Sequence, residues 1–221
     1  GSNGSDYSHG KMLYKDPSFA VGTNNTEVYD ESQNGNVTIT RDGKSSDNPM
    51  LDTEYELAIT NKGESSPGCG GFKFANQTRA NAIFIYRIIA KIPVGRDIEW
   101  AANDFGNGSS VAWITSKSGT GAFAEYICKA VCGPTGTFST IGYFYVNGDC
   151  GTEESPVIWN VAYATCYDMT NYSEVLESSK TATNFMSYDN TNGLLVGNKT
   201  SGEWSGNRAQ ITSDEFNILD K

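Results

Sequence analysis

Between Gly119 and Val146 the chain reads GTGAFAEYICKAVCGPTGTFSTIGYFYV, two runs of alternating side chains separated by a Gly-Pro-Thr-Gly turn. Because a strand has a period of two, Phe123, Glu125, Ile127, Lys129 and Val131 share one face of the first run, and Ala124, Tyr126, Cys128, Ala130 and Cys132 share the other. In the second run Phe138, Thr140, Phe144 and Val146 oppose Ser139, Ile141, Tyr143 and Tyr145. The pattern predicts a β-hairpin, each strand of which sends one face into a core and presents rings or charges on the other. Antiparallel sheets are built this way, since only one of their faces must be dry.

The remaining chain repeats the theme. Asn36–Arg41 follows Asn34-Gly35, a turn pair that tolerates positive φ, and Glu54–Thr60 follows a polar loop. Asn81–Pro93 (NAIFIYRIIAKIP) is the most apolar run. Phe84, Tyr86, Ile88, Ala90 and Ile92 alternate there with Ile83, Ile85, Arg87, Ile89 and Lys91, which predicts a central strand covered on both faces. Its β-branched density and Pro93 weigh against a helix. With Asp97–Asn103, Ser110–Ser116 and Ser155–Asp168, about eight or nine strands are expected between Phe19 and Asp168. The economical architecture is all-β, two antiparallel sheets packed face to face in a jelly-roll β-sandwich. Residues 1–11 read as a tag and linker and residues 12–170 as the sandwich domain. Residues 171–221 read as a linker and a C-terminal β-rich extension, too poor in apolar residues to close a core alone and expected to dock on the sandwich or on copies of itself.

Composition narrows the partners. A formal charge of -10 argues against nucleic acid, whose phosphates must be neutralised by Lys and Arg, and against anionic membrane surfaces. No run reaches the roughly 18 to 20 apolar residues of a membrane span, so no membrane insertion is expected. Uncharged glycans remain open. Five cysteines, Cys69, Cys128, Cys132, Cys150 and Cys166, are an odd number, and three lie inside strand-like runs; the expectation is mostly reduced, buried thiols. His9, the single histidine, lies in the tag-and-linker start, so neither a zinc site nor a Ser-His-Asp or Cys-His arrangement is expected. A glycosidase would need two carboxylates about 5 to 9.5 Å apart across a sugar, and acids such as Glu99, Asp104, Glu125 and Asp149 exist but read as solvated surface groups.

Two segments resemble known families. DPSF-x-x-G-x-N from Asp16, PG-x-GGF from Pro67, I-P-V-G from Ile92, WITS from Trp113, GTG-x-F-x-EY from Gly119 and the closing Tyr167-Asp168 resemble jelly-roll carbohydrate-binding modules. In many of those modules an early acidic side chain and a final-strand aspartate hold a structural calcium ion. The resemblance therefore suggests Ca2+ at Asp168 with Asp16 and Asp30, although Ala20 stands where those modules often carry a glutamate. Residues 181–221, with a G-L-x-V-G phrase at Gly193, Trp204 and a closing Asp220-Lys221, resemble the repetitive β-rich segments of minor structural and tail-fibre proteins of phages. That resemblance implies a trimer carrying a receptor-binding domain on a virion tail or cell surface.

A sugar ring has an apolar C–H face and a hydroxyl rim, so a binding site needs a flat aromatic surface with polar groups beside it. Tyr143 and Tyr145 share a face opposite Phe144 and are the leading candidates if Phe144 is core. Trp113, Trp100 and the loop residue Phe105 are further aromatic candidates, with Arg87 and Glu125 as polar partners. The function expected is non-enzymatic glycan binding and attachment to a host cell surface. The rivals are a binding module of a secreted or surface bacterial protein and a glycoside hydrolase or lyase of jelly-roll fold.

Overall fold

The structure is a computed structural model and describes residues 11–30, 35–63, 70–75, 78–102, 104–138, 141–170, 183–189, 193–200, 203–204, 208–211 and 216–219. The chain divides into two compact units, Gly1–Thr170 and Asn171–Lys221. Every regular element among the described residues is a β-strand.

In the first unit these are β1 (Lys11–Met12), β2 (Glu27–Tyr29), β3 (Val37–Gly43), β4 (Tyr55–Asn61), β5 (Gly71–Ala75), β6 (Ile83–Lys91), β7 (Ile98–Ala102), β8 (Phe105–Asn107), β9 (Ser110–Trp113), β10 (Phe123–Val131), β11 (Thr135–Phe138), β12 (Ile141–Val146) and β13 (Val157–Asp168). A seven-stranded antiparallel sheet runs β3-β4-β13-β6-β10-β9, with β1 added to β13; a four-stranded antiparallel sheet runs β2-β5-β12-β7; β8 and β11 form a short ribbon. The apolar run at Ile83–Lys91 lies between β13 and β10, so both of its edges are hydrogen-bonded. Phe84, Tyr86, Ile88 and Ala90 are fully buried, while Ile83, Ile85, Arg87 and Ile89 are half-buried on the outer face.

The two sheets meet through aromatic rings. Phe72 and Phe74 on β5 and Phe144 on β12 face Trp159 on β13 and Tyr86 on β6, with ring centroids 5.4 to 5.7 Å apart for Phe144–Tyr86, Phe74–Tyr86 and Phe72–Trp159. All five rings are almost wholly inaccessible to water. Each contributes roughly 1.5–3 kcal/mol by burial, and the pair is therefore a β-sandwich with one shared core. β13 pairs with β4 through Val157–Val161 and is irregular between Val161 and Tyr163. Where β4 departs, the segment after β1 takes its place. Ala164 donates its N–H to the Pro17 carbonyl, the Asn24 side-chain amide donates to the Ala164 carbonyl, and the Thr165 hydroxyl donates to the Tyr14 carbonyl.

The expected alternation is present along most of β10 and over Gly142–Val146 of β12 but not along β11, and the hairpin is absent. β10 belongs to the seven-stranded sheet and β12 to the four-stranded one, so the chain crosses from one side of the core to the other through β11. Alternation requires only that one face be buried, and burial against an opposing sheet satisfies it as well as a neighbouring strand does. Gly133 and Gly136 serve close approach to β8 rather than a hairpin turn. A Cβ at Gly133 would overlap the Asn107 carbonyl, and one at Gly136 would lie 3.1 Å from the Asn107 side chain.

Cys128, Cys132 and Cys166 are free and buried; burial pushes the Cys128 thiol far above its usual range, so it packs as a small neutral side chain. Cys150, by contrast, is disulfide-bonded, while Cys69 lies outside the described residues. The second unit is a five-stranded antiparallel sheet of β14 (Thr183–Asp189), β15 (Gly193–Thr200), β16 (Glu203–Trp204), β17 (Arg208–Ile211) and β18 (Phe216–Leu219), in the order β14-β15-β17-β18 with β16 on β15.

Candidate functional site

The outer face of the four-stranded sheet carries an aromatic cluster fixed by strand register. Phe144 is 1% exposed and its neighbours alternate with it, so Tyr143 and Tyr145 point away from the core and are half-buried. Tyr145 lies beside Gly71 on one neighbouring strand and Glu99 on the other; Gly71 in turn lies beside Tyr29 of β2. The adjacent row is Glu27, Lys73, Tyr143 and Ala101. Gly71 leaves a gap in its row, across which the Tyr29 ring leans onto Tyr143, with centroids 4.0 Å apart and planes 19° from parallel. Tyr145 stands 6.2 Å from Tyr143 and 6.5 Å from Tyr29. No other residue fits at position 71, because a Cβ there would overlap the Phe144 carbonyl oxygen.

Ion pairs border the rings on both sides. Lys73 Nζ lies 3.2 Å from Glu27 Oε2, and Lys117 Nζ donates to Glu99 Oε1 at 2.7 Å. The Glu99 hydrogen bond raises the Lys117 pKa, against a smaller opposing effect of burial. The arrangement offers three ring systems with an ammonium and a carboxylate at either end, which suits a ligand having apolar faces and a rim of donors and acceptors.

The other expected aromatics lie elsewhere. Trp100 and Phe105 are core residues, 9% and 5% exposed, and pack edge to face at 5.2 Å. Trp100 turns inward because Gly142 on β12 leaves room for it: a Cβ at Gly142 would meet the indole at 3.1 Å. Its Nε1 is buried without a hydrogen-bond partner. Phe105 belongs to β8 rather than to a loop. Trp113 on the edge strand β9 is half-buried and packs edge to face on Phe144 at 6.4 Å.

Arg87 and Glu125 are brought together, but on the outer face of the seven-stranded sheet. Arg87 Nε donates to Glu125 Oε2 at 2.6 Å, and the guanidinium stands 4.9 Å above the Tyr163 ring. They therefore cannot flank Tyr143 and Tyr145.

The three aspartates expected at a calcium ion each have local partners. Asp16 accepts the N–H groups of Ala20, Val21 and Gly22, and Asp30 accepts that of Gly35. Asp168 accepts from Arg79 and from both the hydroxyl and the N–H of Thr170. Among the described residues, no group of three or more His, Cys, Asp or Glu side chains is placed to hold a metal ion.

Sequence reasoning missed Tyr29. Its strand is only three residues long, too short to display a period, and its place beside Tyr143 depends on β5 lying between them. A cleft of about 440 Å³ was also unanticipated; it lies at the β7 edge, next to the aromatic cluster, and is lined in part by Ala101, Asp104, Asn107, Ser110 and Thr137. Compared with known protein families and with curated proteins, the chain matches none.

Proposed function

We propose that the chain is a non-enzymatic attachment protein whose sandwich binds glycan on a host cell surface, carried on a phage or prophage tail-type structural protein. The single observation that carries the reading is the Tyr29–Tyr143–Tyr145 cluster on the outer face of the four-stranded sheet, bordered by the Glu27–Lys73 and Glu99–Lys117 pairs. Sugar rings would lie on the tyrosines while the paired charges orient hydroxyl groups. The tail-protein context is supported by the resemblance of residues 181–221 to phage minor structural proteins. Trimeric display through that segment would multiply weak contacts by effective concentration. The disulfide at Cys150 suits an extracellular setting, since such bonds persist where conditions are oxidising. The resemblance of the sandwich sequence to jelly-roll carbohydrate-binding modules supports a role in binding rather than in catalysis.

The test is binding to glycan arrays and to whole bacterial cells by the wild type and by the Tyr143→Ala, Tyr145→Ala double variant. Loss of binding by a variant that melts like the wild type supports the reading. Unchanged binding overturns it. Light scattering that finds a monomer at micromolar concentration would remove trimeric display while leaving glycan binding intact.

A further inference from the structure

The cleft at the β7 edge shares a wall with the aromatic cluster. Ala101, the neighbour of Tyr143 in the sheet, is also a lining residue of the cleft, whose other walls come from β8, β9 and β11. Strands lie about 4.8 Å apart, so the path from Tyr29 on β2 across β5 and β12 to Ala101 on β7 covers about 14 Å. That is the reach of an oligosaccharide rather than of a single sugar, and the small Ala101 methyl lets such a chain continue past the tyrosines into the cleft.

The cleft is held in shape by close backbone approaches. A Cβ at Gly106 would meet the Phe138 ring at 2.6 Å, and Gly133 and Gly136 similarly bring the β10–β11 turn onto Asn107. Asp104, an exposed lining residue, has φ 50, a left-handed conformation that costs a non-glycine residue energy and that persists only where the surroundings impose it. The lining residues Asp104, Asn107, Ser109, Ser110 and Thr137 supply a carboxylate, an amide and hydroxyls, and Trp100 and Phe105 also line the cleft. None of the described lining residues is Lys, Arg or His, so among them a phosphate or carboxylate group entering the cleft would find no cation. At about 440 Å³ the volume lies at the small end of the ~300–1,000 Å³ typical of ligand pockets.

We infer that this cleft is the end subsite of the glycan surface, taking one neutral sugar residue of a chain laid across the tyrosines, with Asp104 as the specificity-determining residue that accepts its hydroxyl hydrogens. The inference rests on the proposed glycan reading of the tyrosine cluster. It makes binding depend on chain length. A short neutral oligosaccharide reaches only the tyrosines, whereas a longer one also fills the cleft.

The test is calorimetric titration with linear neutral oligosaccharides of glucose, mannose, galactose and N-acetylglucosamine, from monosaccharide to hexasaccharide. Asp104→Gly removes the carboxylate and at the same time relieves the positive φ, so the variant is expected to melt where the wild type does. The expected result is about a tenfold loss of affinity for the longest oligosaccharide that binds and no loss for the shortest. Asp104→Asn, which keeps a polar acceptor, should restore part of it. Equal affinities for wild type and Asp104→Gly at every length overturn the end subsite and leave the tyrosine surface standing. Equal affinities for wild type and the double tyrosine variant overturn the surface itself. Failure of the wild type to bind any member of the series overturns both.

Discussion

On the outer face of the seven-stranded sheet, Ile83, Ile85, Ile89, Ile127 and Val131 stand half-buried around the Arg87–Glu125 pair. On the outer face of the four-stranded sheet, half-buried tyrosines stand between the Glu27–Lys73 and Glu99–Lys117 pairs. Both faces mix apolar surface with paired charge. They differ in shape and in polar reach: aliphatic side chains interdigitate with their own neighbours, whereas tyrosines add flat faces and hydroxyl groups. Exposed apolar area alone therefore does not mark a site. Planar area beside groups that donate and accept hydrogen bonds is the stronger signal.

Five measurements would break or sharpen that contrast. The largest effect is expected from the Tyr143→Ala, Tyr145→Ala pair, which should weaken glycan or whole-cell binding on the order of a hundredfold, the scale of losing central anchor residues. On the opposite face, Arg87→Ala with Glu125→Ala should alter binding less than about twofold; an equal loss from both pairs would end the distinction between the faces. Next comes Gly71→Ala. Its methyl group has nowhere to go against the Phe144 carbonyl, so denaturant unfolding should show about 1–3 kcal/mol of destabilisation. The surviving folded protein should also bind more weakly, because β5 would shift between Tyr29 and Tyr145.

The stability effect of breaking the Arg87–Glu125 pair should be smaller, below about 1 kcal/mol, since both side chains are partly solvated. The smallest effect concerns Asp168. Burial pushes its carboxyl up, but hydrogen bonds from Thr170 and Arg79 outweigh this and hold it below its usual range. A carboxylate depressed in the folded state stabilises at neutral pH, and that contribution disappears as pH falls below about 4. Arg79 is 47% exposed, so solvent limits the contribution to a fraction of a kcal/mol. Melting curves of Asp168→Asn should accordingly be slightly flatter than wild type on the acid limb, and an identical acid limb would show that these hydrogen bonds do not stabilise the fold.

Much of the all-β sandwich was legible in the chain because alternation is a local property. Ile83–Lys91 displays its two faces in nine consecutive residues and is buried along one of them throughout. Phe144 and its two tyrosine neighbours show the same logic at the candidate site. Trp100 and Phe105 were not legible in this way. Whether a large ring enters the core depends on the space opposite it, and that space is made by Gly142 on another strand and by the packing of β8 against β11. The three aspartates illustrate a different gap: a carboxylate suited to a cation is equally suited to the backbone N–H groups of its own turn, and Asp16 is occupied by three of them.

The stretch from Gly119 to Val146 divides what each level determined. By itself the sequence determined which side chains of each run share a face, because Cβ direction alternates along any extended chain. Only the tertiary structure decided which strands lie next to those runs. Pairing is a choice among distant segments of similar apolar content, settled by the filling of one core from both sides. That choice sent β10 and β12 to opposite sheets, separated Glu125 and Lys129 from Tyr143 and Tyr145, and put Tyr29, remote in sequence, onto the face of Tyr143.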